Sequence, residues 1–211
     1  MVMDFDFTLL GEVPAPKSFM VRREFRGVGS FKLTVQRDAG GLLARDRVIY
    51  RPDRPEQGWI IHRVSRSGDT LTADGTPLKG LAKRRICLPP LITGGAYNQF
   101  GYDLFTGDAE SAYLHFAANN LTAPEDAARA IPRLVLDANL HRGPELPWQA
   151  RFERLSDLFE DIGAATGVGW DIRPDFGAKR YVFGAWAGVD RTTGTGRCAL
   201  SRELGNVEGG S

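Results

Sequence analysis

The sequence predicts an α+β protein, with an N-terminal β-barrel over residues 1–90 and a small α/β module over residues 97–190. Three observations carry this reading. Short stretches with an apolar period of two crowd the first ninety residues. The period then lengthens to that of a helix, first in Asp108–Asn120 and again in Trp148–Ala165. Between the two regimes stand Pro89-Pro90 and Gly94-Gly95, which interrupt either kind of element.

The N-terminal elements follow in order. Phe5 to Leu9 alternates apolar and polar residues and predicts a strand. Met20 to Phe25 pairs with Phe31–Val35 through a turn around Gly27 to Ser30. In the second of these strands Phe31, Leu33 and Val35 share one face. Val48-Ile49-Tyr50 and Trp59-Ile60-Ile61 are β-branched or aromatic runs suited to strands. Arg66 to Asp69 predicts a hairpin turn, with Thr70 to Ala73 returning from it. Leu81 to Leu88 closes the series. Six or seven short strands divided by turns predict a barrel or a sandwich.

In the second region Ala109, Ala112, Tyr113, Phe116 and Ala117 fall at helical spacing. Thr122-Ala123-Pro124-Glu125 has the form of a capping box and predicts a short helix to about Ala130. Val135 and Leu136 suit a buried strand. The clearest helix is expected from Trp148 to Ala165, burying Phe152, Leu155, Phe159 and Ile162 beneath an acidic outer face of Glu153, Asp157, Glu160 and Asp161. Gly163 and Gly167 are candidate stops, Gly167 the better C-cap. Val168, Trp170 and Ile172 then alternate, Pro174 to Gly177 turns, and Arg180 to Ala187 returns. Residues 191–211 are Gly-rich and predict a flexible tail or the start of a further β domain.

A 211-residue chain that is 42% hydrophobic and 25% charged holds enough apolar material for a core without disulfides or metal. Cys87 and Cys198 lie far apart and form no CxxC pair, which argues for two reduced thiols. The first ten residues lack the basic start of a signal peptide, and no apolar run reaches the ~20 residues of a membrane helix. The net charge of +1 divides unevenly. Residues 1–90 hold 16 basic against 10 acidic side chains, and residues 91–211 hold 11 against 16. The basic half admits a nucleic-acid-binding module, but its cations are scattered along strands without an aromatic stacking platform.

Candidate chemistry is weak throughout. Gly27-Val28-Gly29 lacks the third glycine of a dinucleotide fingerprint, since position 32 is lysine, and a strand follows it. Thr193 to Arg197 is Gly-rich but lacks the Gly-Lys-Ser/Thr ending of a phosphate loop. His62, His115 and His141 show no ligand spacing. Asp4 and Asp6 would share a strand face, where a solvated edge explains them. Trp59, Trp148, Trp170 and Trp186 are explained by core packing, with one or two available as interface anchors. No GxSxG elbow occurs. The sequence therefore assigns no catalytic, cofactor-binding or metal-ligating residue, and the expectation is a protein that is not an enzyme.

The succession of short motifs resembles a known family. Gly29-Ser30-Phe31-Lys32-Leu33, then Val48-Ile49-Tyr50, then Leu81–Pro89 with Arg84 and Arg85, is similar to the start of siphophage tail-tip proteins. In the second half come Gly107-Asp108-Ala109-Glu110 with a helix ending at Asn119-Asn120, then Ala128-Arg129-Ala130-Ile131-Pro132. The Phe152–Ala165 helix, Val168-Gly169-Trp170-Asp171-Ile172 and Gly188-Val189-Asp190-Arg191-Thr192 complete the order. This covers most of residues 5–192 and looks like the N-terminal portion of the siphophage tail-associated (tail-tip, baseplate hub) family.

The resemblance implies a virion structural protein. Its first domain would be related to the tail-tube barrel and would form part of a ring, with the α/β module decorating it. It implies a homotrimer at the distal end of the tail, assembled in the host cytoplasm, joining tube to tip. Distal tail and tape-measure proteins would be its neighbours, and DNA would meet it only in transit. It implies no cofactor and no membrane. Family members carry a second barrel further on, and here that barrel is expected to be missing or shortened. A phage-associated cell-wall hydrolase and a basic nucleic-acid-binding module are the alternatives, with an adaptor of a prophage-derived injection machine a third.

Overall fold

The computed structural model describes residues 1–13, 16–36, 41–91, 97 and 99–188. Gly94-Gly95, the 189–192 motif, the 193–197 loop, Cys198 and the expected 191–211 segment lie outside the described residues.

Seven strands form one antiparallel sheet: β1 (Val2–Met3), β2 (Leu9–Gly11), β3 (Ser18–Arg22), β4 (Ser30–Gln36), β5 (Val48–Arg51), β6 (Arg54–Ser67) and β7 (Thr70–Pro77). Their order is β2-β1-β5-β6-β7-β4-β3. Strands consecutive in sequence, β2 and β3, thus occupy opposite edges. The linker 12–17 between them, extended, reaches at most about 25 Å. In a flat sheet the edges would stand about 29 Å apart. The chain's own reach therefore forces the sheet to curl, and it does so into a half-barrel. The expected barrel stays open, because among the described residues no strand ladder joins β2 to β3.

The alternation of side chains sorts the sheet into two cores. Val2, Phe31, Leu33, Val35, Ile49, Trp59, Ile61 and Ala73 are buried together on one face. Met3, Val48 and Ile60, one residue out of step, are buried on the other face against the C-terminal half. Burial on both faces explains why Val48-Ile49 and Trp59-Ile60-Ile61 read as continuous apolar runs. The hairpin turn after Ser67 is as expected, Ser67 pairing with Thr70 and Gly68 taking φ 55°.

The second half packs onto that outer face. It contains β8 (Asp103–Asp108), α1 (Ala109–Ala117), β9 (Leu134–Leu136), β10 (Glu145–Ala150), α2 (Leu155–Thr166), β11 (Val168–Asp175) and β12 (Arg180–Ala187). β8 and β10 form a ribbon, and β11-β12-β9 a three-stranded sheet in which β9 runs parallel to β12. The core cluster that takes Ile60, Leu78 and Leu81 also takes Tyr113, Phe116, Phe159, Trp170 and Phe183. The hydroxyl of Tyr113 lies 2.9 Å from the Phe159 carbonyl and 3.0 Å from that of Val168, locking α1 to α2 and β11. α2 ends on Gly167 at φ 72°, the left-handed C-cap.

Several expectations are corrected. Phe5 to Thr8 is a turn, not a strand, with Phe7 at φ 72°. Phe5 and Phe7 are drawn out of line to pack on Tyr181, at 4.5 and 4.7 Å between ring centroids. Asp4 and Asp6 therefore share no strand face. Asp4 pairs with Arg47 at 3.4 Å, and Asp6 accepts the Thr8 amide at 2.9 Å. Leu78–Arg84 is a 3-10 helix, because Leu78, Leu81 and Ala82 bury at helical rather than strand spacing. Thr122 caps nothing: α1 continues into a π-helical turn, Ala118–Thr122, and Asp126 caps the short 3-10 helix Ala127–Arg129. The long helix begins at Leu155 rather than Trp148, which lies in β10. Phe152 stays outside it, exposed, at φ 57°. Gly163 does not stop α2, where it lies buried among the last turns.

Candidate assembly surfaces

The open sheet edges come first. Among the described residues β3 pairs with β4 on one side only, and β2 with β1 on one side only. Each leaves a row of backbone donors and acceptors without a strand partner. β3 exposes Met20 (63%) and Val21, and β2 exposes Leu9 (56%). Apolar side chains beside unpaired backbone are the features that favour strand addition by a neighbour.

A second exposed patch lies on the β8–β10 ribbon. Leu104 is 68% exposed, with Tyr102 beside it on the same face. The Arg151 guanidinium stands 5.8 Å from the Tyr102 ring and 5.3 Å from the Phe152 ring. Aromatic residues around an arginine match the composition of interface anchors.

The junction of sheet and C-terminal half is polar and closely held. The buried Lys79 donates to the carbonyls of Glu24 at 3.0 Å and Phe25 at 3.4 Å. Trp170 Nε1 donates to the Arg26 carbonyl at 2.7 Å. Burial lowers the Lys79 ammonium to about 8, Asp171 opposing that fall. Burial also pushes the Asp171 carboxyl up, against the pull of Lys79. A cavity of about 290 Å³ lies there, lined in part by Arg23, Phe25, Lys79, Asp171 and Trp186. The Lys79 donors are already engaged, so this group acts as a clamp between elements.

Each histidine has a structural partner. His62 Nε2 lies 2.9 Å from Thr76 Oγ1, and burial then Arg84 lower its pKa. His115 Nε2 lies 2.8 Å from the buried Asp103 and stacks on Phe105. His141 Nδ1 lies 3.0 Å from Asp108. Sequence reasoning did not anticipate that Asp108, Ser111 and His141 meet. Their geometry is that of a helix cap. The Asp108 carboxylate accepts from the Ser111 amide at 2.8 Å and hydroxyl at 2.6 Å, while Ser111 Oγ is 3.4 Å from the imidazole. The serine proton goes to the carboxylate rather than to a base, which is not how a nucleophile is activated. Cys87 is buried, and burial pushes its thiol up to about 12, far from a reactive thiolate. Among the described residues no three His, Cys, Asp or Glu gather as a metal site, and no helix is long and apolar enough to cross a membrane.

A curled sheet carrying a small α+β unit has counterparts among solved structures. The prophage tail protein gp18 from Listeria monocytogenes EGD-e is similar at TM-score 0.52 and 12% identity, over 86% of this chain and 49% of that one. The tail protein from Neisseria meningitidis MC58 gives TM-score 0.44 and 18% identity, over 82% and 46%. The chain spans about half the length of these solved structures. It belongs to the siphovirus ReqiPepy6 Gp37-like protein family, whose model matches residues 1–209. Among curated proteins none matches it. Family membership rests on that match, and the likeness to gp18 is one of fold.

Proposed function

We propose that the chain is a hub protein at the distal tip of the tail, where three copies close into a ring that joins tail tube to tip. The observation that carries this reading is the curled half-barrel left open at β2 and β3, with Leu9 and Met20 exposed on its edges. A ring of heterologous contacts lets each open edge meet a neighbouring copy and closes by symmetry. Residues 1–90, a tail-tube-like domain, would form the wall, with residues 97–190 attached to its flank. Distal tail and tape-measure proteins are the proposed neighbours, and DNA crosses the lumen only in transit. The role needs no catalytic group, metal or cofactor. Sedimentation of the purified chain and electron micrographs of tails labelled on it test the reading. Rings of three copies and label at the tip are expected. A chain that stays monomeric at high concentration and is missing from tail tips would overturn it.

A further inference from the structure

One concavity gathers positive charge. Lys83, Arg84, Arg85, Arg129 and Arg154 surround a cavity of about 290 Å³, together with Ile86 and Ala128. Three chain segments build it. The end of the 3-10 helix Leu78–Arg84 supplies the first cations, and the short 3-10 helix Ala127–Arg129 supplies another. The residue before α2 supplies Arg154, held by a bridge to Ile86 and by the Leu155 amide donating to the Arg85 carbonyl at 3.0 Å. The backbone segments that carry these cations are thus tied to one another.

Its charges are poorly neutralised. Among the described residues only Arg84 has a carboxylate partner, that of Asp46 at 2.5 Å. Arg85 is steadied by a carbonyl instead, its Nε donating to Arg129 O at 2.8 Å. Arg129 in turn donates from Nη2 to Ile86 O at 2.8 Å. The side chains of Arg154 and Lys83 have no hydrogen-bond or ion-pair partner among the described residues. Burial, then repulsion from Arg129 and Arg84, lowers the Arg85 pKa, and no acidic neighbour contributes to it. Like charges held in a partly desolvated hollow repel one another until an anion enters.

The lining also selects the kind of anion. It contains no aromatic ring on which a base could stack. It is a single hollow rather than a groove following a phosphate backbone. Ile86, an exposed apolar side chain, stands among the cations. Arginines matched to carboxylates, beside an apolar contact, are the pattern of acidic-motif recognition. We propose that this hollow binds an acidic protein segment, its carboxylates on Arg85, Arg129, Arg154 and Lys83 and an apolar side chain on Ile86. The site does not depend on ring formation and holds for any oligomeric state.

The test is fluorescence anisotropy of the full chain with a labelled octapeptide of alternating glutamate and leucine at low ionic strength. Saturable binding that weakens with salt is expected. Lys83→Glu with Arg154→Glu should weaken it at least about tenfold, since both side chains are exposed and unpaired and the fold does not need them. Arg66→Glu combined with Lys32→Glu, an equal charge change at exposed positions away from the hollow, should leave affinity within twofold. Unfolding curves confirm that each variant folds. Absence of saturable binding by the parent chain would overturn the proposal, as would equal loss in the variant changed at Arg66 and Lys32. Tighter binding of a single-stranded DNA oligonucleotide through Lys83 and Arg154, or displacement of the peptide by millimolar inorganic phosphate, would overturn it in favour of a phosphate site.

Discussion

The Nζ of Lys79 stands 4.5 Å from the ring centroid of Trp170, so one ammonium joins the 3-10 helix, the β3–β4 connection and β11. Its burial lowers the folded pKa from 10.5 to about 8. Between those values the unfolded chain binds the extra proton, so this group makes stability rise with pH. Cys87 works the other way, its folded pKa raised from 9.0 to about 12, so its contribution is lost as pH climbs above 9. The window in which Lys79 acts without that opposition is pH 8 to 9. There stability should rise by on the order of 1 kcal/mol per pH unit more in the parent chain than in Lys79→Met. Urea midpoints across that window measure it. Equal slopes in the two proteins would refute the clamp.

Glu110 and Arg142 form a second joint. Glu110 is almost fully buried and accepts from Arg142 Nε at 2.9 Å, Nη2 at 2.7 Å and the amide at 3.1 Å. The guanidinium also reaches the Ala185 carbonyl, tying α1 to β12. Burial pushes the Glu110 carboxyl up, but the Arg142 bonds outweigh it and hold it below its ordinary range. Its stabilisation is therefore present above the unfolded pKa of 4.5 and declines as pH falls below it. Arg142→Ala should cost about 3–5 kcal/mol at neutral pH by leaving a buried charge alone. Glu110→Leu combined with Arg142→Leu should recover much of that loss. Guanidinium unfolding of the three variants decides it.

How much of this was legible depends on whether the signal was local. The alternation in Phe31–Val35 and in Val168–Ile172 survives intact, because those strands bury one clear face or one complete hairpin. The C-cap at Gly167 was readable from chain chemistry alone. Phe5 and Phe7 were misread because their destination, Tyr181, lies far along the sequence. The β8–β10 ribbon was missed for a different reason. Pro147 weakens the strand signal of β10, and Trp148 fitted the helical period of the residues after it. The surfaces that carry function were least legible. An edge strand such as β3 looks like any other until its sheet order is known, and the basic hollow joins residues 83–86, 128–129 and 154.

Gly29 opens β4 at φ 76°, and a Cβ there would lie 2.2 Å from the Arg22 carbonyl oxygen. Gly167 takes nearly the same φ, 72°, yet a Cβ on it would meet nothing within 4 Å. The pair separates dihedral strain from steric collision. Gly167→Ala should cost about 1–2 kcal/mol, the left-handed penalty alone. Gly29→Ala should cost at least about 1 kcal/mol more, because backbone must move. Equal losses in chemical unfolding would show that the β3–β4 connection yields freely.

Met20 tests the open edge. Its side chain reaches solvent on a strand whose outer backbone has no strand partner among the described residues, so the isolated fold gains little from it. Met20→Lys should leave unfolding free energy within about 0.5 kcal/mol of the parent. Lysine on an edge strand disfavours strand addition, because the incoming chain must bury or displace the charge. If copies join through β3, the variant should sediment as monomer at concentrations where the parent assembles. The same change should not affect binding of the acidic octapeptide, whose hollow lies on other elements. Assembly unchanged by Met20→Lys would move the contact elsewhere, and the Tyr102, Leu104 and Phe152 patch would be the next surface to alter. Loss of assembly with an intact fold would mark β3 as the strand on which the next copy docks.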